Sequence, residues 1–152
     1  MEKFEQILSS IIVVGGLIYS LKYSNKFNVA ISSLLLIAIL LTICAIEISS
    51  FNQLIFILAS LFTIIYSIFI RNLDKKSRIA LLVFTVPFII IPIVNILHLP
   101  YKNELTFFYS ISIGVFIYAF LEKNKFKNEL GFMISYFLYA LFRFYYLFAS
   151  NS

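Results

Sequence analysis

Apolar residues run in long blocks along this chain, separated by short polar clusters. Six blocks stand out, at about 4–21, 29–46, 54–70, 79–97, 105–121 and 130–148. Each holds about 17–19 residues, at the short end of what crosses a hydrocarbon core of about 30 Å as a helix. The pattern predicts an all-α integral membrane protein. It has six transmembrane helices in an up-down antiparallel bundle with short loops, one polytopic domain over 1–152.

The polar clusters predict where the helices start. Asn28, Asn52, Asn103 and Asn128 each precede an apolar block, and Ser77 does so for the fourth. Asn and Ser side chains accept hydrogen bonds from the free N–H groups of a first turn. Lys-Asn-Glu-Leu occurs at 102–105 and again at 127–130, with Phe-Asn-Gln-Leu at 51–54. Glu104 and Glu129 then read as partners of positive helix ends. The spacing of these caps leaves only a few residues per loop, which makes consecutive helices antiparallel neighbours. Laid over each other at an offset of 76, the two halves keep their hydropathy register but share few identities (Leu21/Leu97, Asn52/Asn128, Phe56/Phe132). Regular helix length is the simpler explanation, and the alternative is an inverted repeat of three spans per half.

Composition supports lipid as the solvent. The chain is 62% hydrophobic and 12% charged, against about 45–50% and about 25% for soluble domains. The net charge of +5 does not indicate nucleic-acid binding, because the charges sit in the loops. Lys22, Lys26, Arg71, Lys75, Lys76, Arg78, Lys123, Lys125 and Lys127 fall in odd-numbered loops; only Lys3, Lys102 and Arg143 fall on the other side. The positive-inside rule then places loops 22–27, 71–78 and 122–129 in the cytoplasm and both termini outside. The expected location is a bacterial cytoplasmic (inner) membrane. The first block lacks an acid-free basic leader (Glu2 and Glu5 are present) and a clear cleavage site, so it reads as a retained span. Cys44 is alone in an apolar block, without a disulfide or metal partner. No cofactor is expected.

The last block carries the one charge well inside an apolar run, Arg143. Tyr136, Tyr139, Arg143 and Tyr146 fall on one helical stripe. With the topology above, Glu5, Glu47, Asn95, His98 and Glu104 gather at the same outer side. Together with Tyr139, Arg143 and Tyr146 they form a candidate pocket for an anion or a lipid head group, Arg143 being the bidentate donor. Two other readings stand beside it: Arg143 snorkels to the interface, about 9 Å away along its helix, or it pairs with Glu47 or Glu5. Pro87 and Pro92 predict a kink or unwound turn in the fourth span. Gly16 with Ser20, Ala59 with Thr63 and Ser67, and Ser110 with Gly114 repeat at four-residue spacing, the pattern of close helix contact.

No acidic residue lies near the middle of a span, which argues against ion-coupled transport. No nucleotide loop, zinc-protease motif or serine-hydrolase motif is present. The turn Ile96-Leu97-His98-Leu99-Pro100 resembles the His-x-Pro turn of bacterial gliding-motility motor proteins. Leu99 and Tyr101 stand where that family has Trp and Gly, and no role follows from one turn. The functional expectation is a small non-enzymatic packing or assembly subunit of a membrane complex. The alternative is a small carrier or a lipid- or solute-binding protein built around Arg143. Partners are the bilayer and other membrane subunits or a second copy, not nucleic acid.

Overall fold

The structure is a computed structural model, and it describes residues 2–43, 49–70, 73–98 and 102–149. Regular structure among them is helical, with no strand. The helices are α1 (Glu2–Tyr23), α2 (Lys26–Ile43), α3 (Ser49–Phe69), α4 (Lys75–Thr85), α5 (Pro87–Ile96), α6 (Lys102–Thr106), α7 (Tyr109–Leu121) and α8 (Leu130–Ala149). They follow the six apolar blocks. The fourth block is α4 with α5, and the fifth is α6 with α7.

The two divided rods break for different reasons. Pro87 has no N–H to give to the preceding turn, and the break there is one residue, Val86, which keeps right-handed helical angles. The expected kink is therefore an interruption within a rod that continues from Lys75 to Ile96. The fifth rod tightens at Phe107 and Phe108, where amides bond three residues back (Phe107 N–H to Glu104 O, Phe108 N–H to Leu105 O). No proline or glycine marks that turn in the sequence.

α2, α3 and α4 start about one turn earlier than the sequence pattern predicts, whereas α8 starts at Leu130, just past Asn128. The side chain of Asn25, not Asn28, caps α2, accepting from the Asn28 N–H at 3.0 Å. Asp74, not Ser77, caps α4, accepting from the Ser77 N–H at 3.3 Å. Asn28 and Ser77 are buried inside their first turns. Asn52 falls within α3 and Asn103 within α6, and their side chains lie outside the described residues.

Five rods form an arc around the sixth. α1 packs on α2, α2 on α3, α3 on α4 and α5, and α4 on α7; α8 meets α1, α2 and α7. It also reaches α3 and α5 through Tyr136, whose ring lies 4.5 Å from that of Phe88 and whose hydroxyl lies 3.2 Å from Ser60 Oγ. Phe132, Met133, Ser135, Tyr136 and Ala140 have no exposed surface. α8 is thus a central helix, a role its sequence shares with none of the others. The proposed half-to-half correspondence pairs it with α3, which instead exposes a full stripe at Leu54, Leu58, Leu61, Ile65 and Ile68. The two halves are not structurally equivalent.

The close approach of α1 to α8 depends on two glycines. A Cβ on Gly16 would stand 2.6 Å from the Gly131 carbonyl oxygen. One on Gly131 would meet the Ser20 hydroxyl and stand 2.8 Å from the Gly16 carbonyl oxygen. The Gly16/Ser20 pair therefore serves an internal contact, facing Gly131 and Ser135 on α8. Ala59, Thr63 and Ser67 are buried as well, whereas Ser110 and Gly114 face outward. Gly131→Ala should lower stability by ~1–3 kcal/mol, the usual cost of overpacking. Gly15→Ala should not, because a Cβ there meets nothing within 4 Å. Thermal unfolding in detergent distinguishes the two.

Candidate functional site

Two polar groupings lie at opposite ends of the bundle. Of the one anticipated from sequence, only the side chains of Tyr139, His98, Glu104 and Asn95 lie among the described residues. Glu47 lies outside the described residues. Glu5 is in α1, and Arg143 and Tyr146 are in α8, but the side chains of these three lie outside the described residues. Tyr139 is a core ring, 4.1 Å from Phe56 and 6.0 Å from Tyr109 between centroids. His98 is not on the helical face of Asn95. It lies past the end of α5 with φ 51°, in the left-handed region that closes helix C-termini, and is exposed. Glu104 is exposed too. Asn95 is half-buried, and its Oδ1 receives no hydrogen bond; the same holds for Gln53 Oε1 near the start of α3.

The second grouping is better ordered, and sequence reasoning missed it. Loops one and five meet at one end, where the Ser24 hydroxyl donates to the Asn128 carbonyl. Asn28 Nδ2 donates to the same carbonyl at 2.8 Å and to the Tyr66 hydroxyl oxygen at 3.1 Å. The Tyr66 hydroxyl in turn donates to Glu129 Oε1 at 2.6 Å. Asn28 is 0% exposed and Glu129 1%. The result is a chain of hydrogen bonds from α2 through α3 to the residue that opens α8.

Local structure explains the convergence. With Asn25 taking the cap, the Asn28 amide is released from the backbone and points inward. Tyr66 lies one turn past Thr63 on the inner stripe of α3. Phe126 is fully buried and holds loop five against the bundle, its ring 5.9 Å from Tyr118. Glu129 was read as a partner of a positive helix end. It does sit at the start of α8, where the Met133 N–H bonds its carbonyl at 3.1 Å, but its side chain is inside. Burial pushes its carboxyl above the ordinary glutamate range. The Tyr66 hydroxyl and the backbone amides of Glu129 and Asn128 pull the other way by bonding the charged form. The only sequence signal was the repeated Lys-Asn-Glu-Leu, whose two copies take unlike positions: Glu104 is exposed and Glu129 buried.

Among the described residues, no group of three or more His, Cys, Asp or Glu side chains could hold a metal ion. Among the same residues, Lys125 pairs with Glu122 at 3.0 Å on the surface of loop five. Comparison with protein families, with curated proteins and with solved structures gave no match to this chain.

Replacing Asn28 by Ala removes the donor to both Tyr66 and the Asn128 carbonyl. It should cost about 1–3 kcal/mol, the range for stranding buried partners. Asn25→Ala removes the cap and a lesser contact with the Tyr66 hydroxyl, and should cost about 1 kcal/mol. Equal effects in thermal unfolding would refute the assignment of distinct roles to the two asparagines.

Proposed function

We propose that the chain is a six-span, non-enzymatic membrane protein acting as a packing or assembly subunit of a membrane complex. The observation that carries the membrane reading is the inverted placement of side chains. α3 turns Leu54, Leu58, Leu61, Ile65 and Ile68 outward, each 44–53% exposed, and Ser60, Thr63, Tyr66 and Ser67 inward. The fourth rod does the same, with Ile79, Val83, Val86, Ile90 and Ile93 outside and Ser77 and Thr85 buried. A helix of a protein surrounded by water carries the opposite amphipathicity.

Rod lengths support the same reading. Among the described residues, Lys75–Ile96 and Glu104–Leu121 are long and apolar enough to cross a membrane; four further apolar helices are shorter as described. Twenty-two residues span about 33 Å as a helix. The contact of Ser24 with Asn128, and the electrostatic proximity of Asp74 to Lys125, bring loops one, three and five to one end. This is the basic end, which the positive-inside rule assigns to the cytoplasm of a bacterial cell.

The assembly reading is supported by the centre of the bundle. α8 fills it with close-packed aromatic rings, so the outer faces are where other molecules meet the protein. A second reading, a carrier or binder of anions or lipid head groups at Arg143, is favoured by the unmet acceptors Gln53 Oε1 and Asn95 Oδ1 at that end. Recovery from mild detergent tests both. The first expects co-purifying membrane proteins or self-association at native levels, and a lone monomer would overturn it. Arg143→Leu should leave a subunit assembled, whereas a carrier keeps its fold and loses binding or uptake. Release of the chain from membranes by alkaline carbonate would overturn both.

A further inference from the structure

Glu129 is the one group whose burial neither reading uses. Among the described residues no Lys, Arg or His forms an ion pair with it. Lys127, two residues away along the chain, and Lys22 lie over the Tyr23 ring at 4.9 and 5.2 Å. A charged carboxylate without a counter-ion is costly in an apolar interior, and such groups ordinarily neutralise.

The hydrogen bonds around it have an excess of acceptors. Tyr66 gives its single proton to Glu129. Asn28 gives its amide hydrogens to Tyr66 and to the Asn128 carbonyl. Ser24 gives its proton to that carbonyl as well. Every donor of these side chains is in use, yet Asn28 Oδ1 is buried and receives nothing. The cluster has room for one more donated hydrogen.

We propose that Glu129, Tyr66 and Asn28 form a proton-binding site at the basic end of the bundle, taking up one proton from water on the Glu129 carboxyl. The carboxylate oxygen gains an O–H bond and the cluster goes from one negative charge to none. Tyr66 keeps its own proton throughout. The groups facing the carboxyl are Asn28 from α2, Tyr66 from α3, the phenol of Tyr19 from α1, which feels its charge, and the amides of Asn128 and Glu129. None of these side chains is a cation. Proton release leaves a charge where loops one and five join α2, α3 and α8, and loosens that junction. The site is independent of whether the chain assembles with partners or binds anions at Arg143.

The sign of the pH dependence follows. Burial makes the folded protein hold this proton more tightly than the unfolded chain. The stabilisation is therefore full below the ordinary glutamate range and is lost as pH rises through the folded value. The test uses the full chain in detergent micelles, with infrared titration of the protonated-carboxyl band and thermal midpoints across pH. In the wild type the band should persist above the ordinary glutamate range, and the midpoint should fall as the band disappears. Glu129→Gln should lack that band and show a flat midpoint in the same window. Tyr66→Phe, which keeps the ring and deletes the bond to the charged form, should move the titration to higher pH. A carboxyl titrating at the ordinary glutamate value, a Glu129→Gln profile parallel to the wild type, or an unmoved titration in Tyr66→Phe would each overturn the site. If Glu129→Gln does not fold, the wild-type and Tyr66→Phe titrations still decide.

Discussion

The arrangement depends on how closely α1 can approach α8. At Gly16 and Gly131 two backbones come within reach of each other's carbonyl oxygens, and neither position has space for a Cβ. That approach brings Ser20 against the start of α8, where its hydroxyl also meets Ser32 of α2 at 2.7 Å. α1, α2 and α8 are thereby fixed as a triad. The position of Glu129, two residues before Gly131, follows from the same contact. The carboxyl is held inside because the helix it opens is pressed against α1 and α2.

Apolar burial does not select this helix order if lipid surrounds the bundle, because a lipid tail is as good a neighbour as a leucine. Close approach and hydrogen bonds must then select it. Several hydroxyls do not, because they bond within their own helix: Ser33 to the Val29 carbonyl, Ser67 to that of Ile64, Thr85 to that of Leu81. Such back-bonding satisfies the group without specifying a partner. The specifying contacts are few. They are Ser20 with Ser32, Tyr136 with Ser60, Ser112 with the Phe84 carbonyl at 2.8 Å, and the chain from Asn28 to Glu129.

The helical blocks were legible in sequence because each is a long, uninterrupted apolar run between polar clusters. The alternation of their ends was legible because the loops are short. The central place of α8 was not. Nine of its twenty residues are aromatic, a larger share than in α1, α2 or α7, but lipid-facing and core-facing aromatic residues look alike in sequence. Caps were misplaced by one turn at Asn28 and Ser77 because two candidates three residues apart, Asn25 with Asn28 and Asp74 with Ser77, satisfy the same preference. Of the stripe expected through Tyr139 and Arg143, Tyr139 packs against rings on α3, α5 and α7, and the Arg143 side chain lies outside the described residues. Glu129 was misjudged because a carboxylate at a helix start looks the same whether the turn above it is exposed or covered. Coverage comes from Tyr66, which is distant in sequence.

The chemical difference between the two ends follows from which residues end each helix. At the basic end, loop five contributes a carbonyl and a carboxyl at consecutive residues, Asn128 and Glu129, and the adjoining helices contribute an amide, a phenol and a hydroxyl. Donors and acceptors meet there with one acceptor left over. At the opposite end the fourth rod closes with His98 in a left-handed turn, past the end of the helix that carries Asn95. The amide oxygens of Gln53 and Asn95 are left without donors. A buried acceptor without a donor costs free energy that the fold must offset elsewhere. The basic end contributes hydrogen bonds that tie three helices together, and among the described residues it bears the same cost, because Ser77 Oγ and Arg78 Nε are buried there without a partner.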